Sequence, residues 1–288
     1  MRVKTLESKE IYFEHLSENT TYHLLIIGDA LKVLKDENIF PDESVNLVVT
    51  SPPYGLRKKY GSKYRDKFNL EKWTRMIETV GKELFRILTP NGSLFLNVSP
   101  IPHPKTKEII PLDSYAYFLL KKSGFYLRNK IIWHFHNMQN CTKRLSGRWE
   151  AILWFVKDIK NYVFNLDAIR VPYLTNDKRI KGKGRNPTDV WYFDRVNNMT
   201  KKKLGINHPC VFPEPMIERI IKMSSNPGDI VLDPFVGSGT TMRVARKLNR
   251  NSIGIEINPE YRKLICRRLE LDNLMYGKCI FKVINYDN

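Results

Sequence analysis

The chain has 288 residues, 42% of them hydrophobic and 27% charged, which excludes a disordered or collagen-like protein and allows one large domain or a core with an inserted lobe. Lys and Arg number 48 against 30 Asp and Glu, and this net charge of +18 predicts a polyanionic partner, nucleic acid first; a merely soluble basic surface is the alternative. Neither a membrane span nor a secretory signal is present in the pattern, so we expect a cytoplasmic protein with no membrane partner.

The predicted elements alternate between strand and helix along the first half of the chain. They are a strand at 24–27, a helix at 30–35, a strand at 45–49, a helix at 70–88, a turn at 89–92, a strand at 93–98, a helix at 115–122, and strands at 130–136 and 151–156. The first strand, helix and strand lie within about thirty residues and form a βαβ unit.

The regular pattern fades between 161 and 207, where two basic runs, KRIKGKGR and TKKK, occur. It then returns. The remaining predicted elements are a helix at 213–223, a strand at 228–233, a tight turn, a helix at 241–248, a strand at 252–257 and a helix at 260–274. This alternation predicts an α/β fold with a doubly wound, mostly parallel sheet.

The spacing of the cysteines and histidines predicts no metal site. The four cysteines contain no CxxC pair and indicate neither a disulfide framework nor zinc. His134 and His136 could face one side of a strand, but no Cys, Asp or Glu close in sequence completes a ligand set. We therefore expect them to be polar lining, with no metal bound.

The segment GDIVLDPFVGSGTT has the features of a cofactor loop. An apolar strand ends at Asp233, and the Gly237-Ser238-Gly239 turn lets the backbone approach a ligand before a helix begins. Glu256 ends the next strand, 19 residues after Gly237, where an acid can accept hydrogen bonds from ribose hydroxyls. The glycine spacing is not GxGxxG and no GxxxxGK[ST] is present, which disfavours NAD and a P-loop nucleotide.

The turn Ser51-Pro52-Pro53-Tyr54 follows a buried strand, at the end of a parallel sheet where such folds bind ligands. Its prolines remove two amide donors and leave carbonyl oxygens to accept, which suits a substrate amine. Tyr54 offers an aromatic face for a planar base, and Ser51 an adaptable hydroxyl. A rigid proline turn that merely ends a strand is the alternative.

Together, TSPPY and DPFVGSGTT closely resemble the S-adenosylmethionine-dependent DNA amino-methyltransferases, in the circularly permuted group whose catalytic tetrapeptide precedes the cofactor loop. The resemblance spans most of the chain and implies a Rossmann-like methyltransferase fold. It assigns Asp29 to the cofactor adenine, Glu256 to the ribose, and NHPCVFPEP to the remaining cofactor motif. The cofactor residues implied are Asp29, His208, Pro209, Asp233, Pro234, Phe235, Gly237, Ser238, Gly239, Thr240, Thr241 and Glu256.

In this family a Ser at the first position of the tetrapeptide usually accompanies cytosine N4, so we expect a cytosine-N4 DNA methyltransferase, with adenine N6 as the alternative. The base would rotate out of the duplex and stack on Tyr54, while Ser51 and the Pro52 carbonyl accept its amine hydrogens. The resemblance also implies a modification role beside a restriction endonuclease. A non-catalytic nucleic-acid-binding protein and an RNA or protein methyltransferase are further alternatives.

Basic residues near the tetrapeptide and in the irregular stretch are expected to contact duplex DNA phosphates. They are Arg57, Lys58, Lys59, Lys63, Arg65, Lys178, Arg179, Lys181, Lys183 and Arg185. We expect a catalytic half at 1–136, a target-recognition region at 137–207 and a cofactor-binding half at 208–288. The protein is expected to be a monomer or a homodimer.

Overall fold

A computed structural model describes residues 20–62, 64–138, 140–173 and 182–286, without the side chains of 56–58, 65, 66 and 274. The strands are β1 Thr20–Ile27, β2 Val45–Thr50, β3 Leu56–Tyr60, β4 Tyr64–Lys67, β5 Leu88–Val98, β6 Ile101–Pro102, β7 Ile109–Ile110, β8 Tyr126–His134, β9 Trp149–Val156, β10 Val190–Tyr192, β11 Ile230–Asp233, β12 Asn251–Glu256 and β13 Lys278–Asn285. The helices are α1 Ala30–Val33, α2 Leu70–Ile87, α3 Leu112–Lys122, α4 Asn198–Lys203, α5 Glu214–Ser224, α6 Thr240–Lys247 and α7 Arg262–Arg268. Three 3₁₀ turns are at Leu166–Ala168, Pro259–Tyr261 and Leu274–Tyr276.

Nine of these strands form one sheet in the order β10-β8-β9-β5-β2-β11-β12-β1-β13. Every neighbouring pair is parallel except the two that involve β9, which runs against both β5 and β8. The predicted doubly wound, mostly parallel sheet is therefore confirmed.

The chain leaves the centre of the sheet in two directions. From β2 it passes through α2 to β5 on one side, and from β11 it passes through α6 to β12 on the other. The strands β2 and β11 are neighbours, so the crevice above their carboxyl ends is the topological switch point at which open α/β sheets bind ligands.

Alternating side chains of the central strands bury both faces of the sheet. On β1, Leu24 and Ile26 pack with the helices α1, α2 and α3, whereas Leu25 and Ile27 pack with residues of α6 and α7. A third apolar cluster joins α5 and α6 to the strands at the other end. Because parallel strands are covered on both faces, they read as continuous apolar runs rather than alternating ones.

Several elements differ from the sequence expectation. The predicted turn at 89–92 lies inside β5, where the register against β2 shifts between Val45 and Leu47, so its turn residues form an irregularity within the strand. The helix expected at 260–274 is shorter, with α7 ending at Arg268. The β3–β4 hairpin was not predicted, because its charged residues conceal any apolar period, and the edge strand β13 was not predicted either.

In the described part of the chain, no helix combines the length and apolar character needed to cross a membrane.

Candidate active site

Both predicted motifs lie at the switch point, joined by a direct hydrogen bond. Thr50 ends β2 immediately before the Ser51 turn, and Asp233 ends β11 immediately before the glycine turn. The Thr50 hydroxyl donates to Asp233 Oδ1 over 2.7 Å. Residues 183 positions apart in sequence thereby fix the two turns against each other.

The Asp233 carboxylate is fully enclosed by protein donors. Thr241 Oγ1 donates to Oδ2 over 2.7 Å, and the amide of Phe235 donates to Oδ1 over 3.1 Å. Burial raises the pKa of Asp233 to about 6, although these three hydrogen bonds oppose the shift. The structure thus gives Asp233 an internal role in shaping the turn, and direct contact with a cofactor stays a prediction for it.

Two glycines and a buried arginine hold the cofactor turn. Gly237 and Gly239 have φ of +51° and +78°, in the left-handed region that favours glycine. Arg268 is 7% exposed and donates to the Ser238 carbonyl and to Thr240 Oγ1, both over 2.9 Å. Glu214 accepts from Arg268 at 3.2 Å. The sequence did not single out Arg268, which lies in a helix whose other basic residues are more exposed.

Asp29 and Glu256 lie at the carboxyl ends of two neighbouring strands. Ile27 of β1 is in register with Glu256 of β12, and Asp29 follows two residues later. Glu256 accepts hydrogen bonds from the amides of Gly237 and Asn258, each over 2.9 Å. Burial raises its pKa to about 7, with the negative charge of Asp233 adding to the shift.

This arrangement suits a nucleoside cofactor. Ribose hydroxyls and an adenine amine are donors and need acceptors, which the carboxylates of Asp29 and Glu256 can provide. Asp29 caps α1 by accepting from the amide of Leu31 over 2.9 Å, and its side chain remains partly exposed. At Gly237 a Cβ would lie 2.8 Å from His208 Cε1, so no side chain fits between the turn and the imidazole. The residues present therefore fit the adenosine part of the expected cofactor.

His208 is placed beside the turn by two aromatic side chains. Its ring centroid lies 5.6 Å from that of Tyr60 in β3 and 4.7 Å from that of Tyr261. The Cys210 amide donates to His208 Nδ1 over 3.2 Å. The neighbouring Pro209 carbonyl accepts from Lys201 Nζ over 3.2 Å. The structure thus brings the predicted motif at 208–209 against the Gly237 turn.

The Ser51–Tyr54 turn is held by contacts within it and by Trp73 of α2. Ser51 Oγ lies 2.8 Å from the Tyr54 hydroxyl. The indole of Trp73 donates to the Pro53 carbonyl over 3.0 Å. The Pro53 carbonyl therefore already accepts one hydrogen bond within the protein, and the predicted amine acceptor remains the Pro52 carbonyl.

Two residues that the sequence did not assign complete this site. Asn97 lies near the end of β5, and Glu150 lies at the start of the reversed strand β9, which brings its first residues to the carboxyl edge. Asn97 Nδ2 donates to Glu150 Oε2 and to the Tyr54 hydroxyl, each over 2.7 Å. The side chain oxygen of Asn97 is buried with no hydrogen-bond partner among the described residues. These side chains meet only because β5 pairs with β9, so the sequence pattern alone does not predict the cluster.

The β3–β4 hairpin connects the two halves of the site. Asn258 Nδ2 donates to the Tyr60 carbonyl over 3.0 Å, and the amide of Ser62 donates to Glu260 Oε2 over 3.0 Å. A cavity of about 770 Å³ opens between the hairpin, the α4 segment and Tyr261. Lys59, Lys201 and Lys202 are among its lining residues.

Few of the predicted DNA-contacting side chains can be placed. Lys183 pairs with Asp167 at 2.7 Å, and Arg185 donates to the Pro172 carbonyl over 3.2 Å. Lys59 is exposed at the cavity. The residues Lys63, Lys178, Arg179 and Lys181, and the side chains of Arg57, Lys58 and Arg65, lie outside the described part.

The His134 and His136 rings lie 4.8 Å apart at the same edge, and both contact Tyr192. Among the residues that the structure describes, no group of three His, Cys, Asp or Glu side chains is arranged to hold a metal ion.

Comparison with known families and proteins gives one consistent result. A model of the family described as DNA methylase, for N6 and N4 enzymes, matches residues 45–267. The type II methyltransferase M.ScaI of Streptomyces caespitosus is 37% identical over 258 residues, which cover 86% of this chain and 82% of the relative. The DNA adenine methyltransferase YhdJ of Escherichia coli (strain K12) is 36% identical over 265 residues, covering 86% and 82% of the two chains.

A solved structure extends the likeness to the fold. The putative DNA modification methylase TTHA0409 of Thermus thermophilus, in complex with S-adenosyl-L-methionine, aligns with a TM-score of 0.63 and 28% identity. The alignment covers 92% of this chain and 99% of that protein. The predicted Rossmann-like methyltransferase fold is thus confirmed.

Proposed function

Because the chain belongs to the DNA methylase family, we propose that it transfers a methyl group from S-adenosylmethionine to the N4 amine of cytosine in duplex DNA. The observation that carries this proposal is the Thr50–Asp233 hydrogen bond, which sets the Ser51 turn beside the cofactor turn. A methyl donor held at one turn then faces an amine held at the other.

S-adenosylmethionine supplies an electrophilic methyl group on its sulfonium. Glu256 and Asp29 would bind the adenosine part, since Glu256 ends β12 and Asp29 follows the end of the adjacent strand β1 by two residues. The backbone at Gly237 and Gly239, with His208 against it, would border the methionine part. The methylase of Thermus thermophilus solved with this cofactor supports the assignment.

The catalytic turn would act on a base rotated out of the duplex. An exocyclic amine is a weak nucleophile because its lone pair is delocalised into the ring. Ser51 Oγ and the Pro52 carbonyl would accept its two hydrogens and direct the lone pair at the methyl group. The Tyr54 ring would stack on the base, while its hydroxyl is anchored to Ser51 and Asn97.

The DNA duplex would lie over the carboxyl edge of the sheet. We place the target-recognition region at 137–207, between a catalytic half at 1–136 and a cofactor-binding half at 208–288. In its described part, β10 extends the main sheet beside β8, and α4 borders the lysine-lined cavity. The net charge of +18 fits a surface that contacts phosphates.

Adenine N6 is the second candidate, because the relative YhdJ is named a DNA adenine methyltransferase. Both bases present an amine beside a ring nitrogen, so the same turn serves either. We favour cytosine because of Ser51, the residue that usually accompanies N4 methylation in this family. The proposed partnership with a restriction endonuclease rests on the similarity to type II methyltransferases such as M.ScaI.

The test is direct identification of the product. Purified protein is incubated with mixed-sequence duplex DNA and S-adenosylmethionine, and the DNA is digested to nucleosides for mass spectrometry, with Tyr54→Ala as the control for contaminating activity. We expect N4-methylcytosine from the wild type only. N6-methyladenine would establish the alternative, and no methylated base, with RNA or protein methylated in a parallel reaction, would overturn the proposal.

A further inference from the structure

A chain of polar groups leads from the catalytic turn to a carboxylate that the proposed reaction has not used. Ser51 Oγ lies 2.8 Å from the Tyr54 hydroxyl, which lies 3.4 Å from Glu150 Oε2. Asn97 Nδ2 binds both the Tyr54 oxygen and Glu150 Oε2 over 2.7 Å. These four residues come from the turn after β2, from β5 and from β9.

Donor counting fixes the direction of these bonds. The Tyr54 oxygen already accepts from Asn97 Nδ2, and its single proton has two acceptors within reach, the Asn97 main-chain carbonyl at 2.9 Å and Glu150 Oε2 at 3.4 Å. Ser51 is then the donor in its contact with Tyr54. With its only proton directed away from the substrate, Ser51 presents lone pairs to the target amine, as the proposed reaction requires.

We propose that Glu150 is the final acceptor of the proton released by the target amine, which reaches it through the hydroxyls of Ser51 and Tyr54. This inference rests on the proposed function and names a residue for a step that the catalytic turn alone cannot complete. Glu150 does not touch the target amine and acts on it through Tyr54 and Ser51. It is therefore a positioning residue, and it also receives the proton.

Release of the proton follows methyl transfer to the amine. The amine nitrogen forms a bond to the methyl carbon as the bond between that carbon and sulfur breaks, which leaves a neutral thioether and a positively charged nitrogen. One N–H proton passes to Ser51 Oγ, the Ser51 proton passes to Tyr54 Oη, and the Tyr54 proton passes to Glu150 Oε2. The methylated base is then neutral and Glu150 is a carboxylic acid.

The surroundings of Glu150 suit a proton acceptor. None of the ion pairs found among the described residues involves Glu150, so no Lys or Arg of that part of the chain neutralises its carboxylate. Its side chain is half-buried, which leaves a route for the proton to reach water after each cycle. Trp133 of β8 faces Glu150 in register and holds no titratable group.

The electrostatics of Tyr54 support a relay through a neutral hydroxyl. Burial, followed by the charge of Glu150, raises the pKa of Tyr54 well above its usual range, with smaller contributions from Cys210 and Tyr60. Tyr54 therefore keeps its proton until another arrives from Ser51. Because a phenol both donates and accepts, it can pass a proton without ever ionising.

The test compares Glu150→Gln with Glu150→Asp in single-turnover methyl transfer to DNA between pH 5 and 9, with S-adenosylmethionine saturating at every pH so that the pH dependence of cofactor binding does not affect the rate. Glu150→Gln keeps the shape and the hydrogen bond from Asn97 but cannot take up a proton. We expect it to be slower by roughly 10²–10⁴-fold and to lack the loss of rate on the acidic side that the wild type shows. Glu150→Asp should recover part of the rate together with the acidic limb.

Two controls separate this role from a structural one. Glu108→Gln makes the same chemical change at an exposed position and should match the wild type. S-adenosylmethionine affinity, measured by calorimetry, should be the same in all variants if the site is folded. A Glu150→Gln enzyme with the wild-type pH profile, whether slowed or not, would refute the relay and leave the methyltransferase assignment intact. If the wild-type protein does not methylate DNA, both the relay and the methyltransferase proposal are refuted.

Discussion

The hydroxyl of Thr50 and the carboxylate of Asp233 lie 2.7 Å apart and join the two strands at the centre of the sheet. Thr50 precedes the Ser51 turn directly, and Asp233 precedes the glycine turn at 237–239. Both side chains are buried, at 0% and 3% exposure. Any change in this bond is therefore transmitted to both turns.

Replacing Thr50 with valine keeps the shape of the side chain and removes the donor. A buried hydrogen bond to a charged group contributes about 1.5–3 kcal/mol, so we expect the free energy of unfolding to fall by that amount in urea denaturation at pH 8. Thr142→Val, at an exposed loop position, should stay within about 0.5 kcal/mol of the wild type. Equal stability of the two variants would contradict a structural role for this bond.

Asp233 should make the stability of the protein depend on pH. Its pKa is raised from 3.8 to about 6, so the folded state binds a proton that the unfolded state releases. The stability associated with this proton is present below pH 4 and is lost as the pH rises through 6. Asp233→Asn does not titrate at this position. Relative to that variant, the free energy of unfolding of the wild type should fall between pH 4 and 7 by roughly 1.4 kcal/mol per unit of pKa shift. Denaturant unfolding of both proteins at both pH values tests this. The same difference in free energy of unfolding at pH 4 and pH 7 would refute it.

Glu256 should make cofactor binding depend on pH in the opposite sense. Its pKa is raised to about 7 by burial, and ribose hydroxyls would stabilise the carboxylate form. Binding then favours the ionised state, so the affinity for S-adenosylmethionine should increase as the pH rises from 6 to 8, with protons released. Calorimetry in buffers of different ionisation enthalpy measures this release. Glu256→Gln should bind more weakly and show neither effect.

Tyr54 combines a ring and an anchored hydroxyl that two substitutions can separate. Tyr54→Ala removes both and should abolish methyl transfer while S-adenosylmethionine binding is retained, because the side chain contacts the substrate side of the site. Tyr54→Phe keeps the stacking face and removes the bonds to Ser51 and Asn97, so its turnover should fall between that of the wild type and that of the alanine variant. Equal loss of cofactor binding and turnover in Tyr54→Ala would refute the assignment.

The lysine-lined cavity should contribute to DNA affinity through charge. Lys59 and Lys202 line it, and substitution of each with alanine should weaken binding for all sequences alike and reduce the slope of log K against log salt by about 1. Lys35→Ala, at an exposed position beyond the far end of α1, is the matched control. Fluorescence anisotropy at several salt concentrations measures the slope, and unchanged slopes would exclude phosphate contacts at these lysines.

The sequence alone determined the fold class, because buried parallel strands are continuous apolar runs and the helices between them keep a helical period. The sequence also located the turns at Ser51 and Gly237, because proline and glycine mark positions with special backbone conformations. By contrast, the β3–β4 hairpin has no such pattern, since charged residues occupy both of its strands.

Tertiary structure alone decided which side chains meet. Glu150 stands near Tyr54 only because β9 is reversed against β5, and a strand's direction is not encoded in its own apolar residues. Arg268 reaches Ser238 only because α7 packs beneath the cofactor turn. Contacts of this kind arise from pairing between distant segments, whose register depends on the whole sheet. Local residue patterns therefore predicted the strands and turns of this site, whereas its hydrogen-bond partners required the fold.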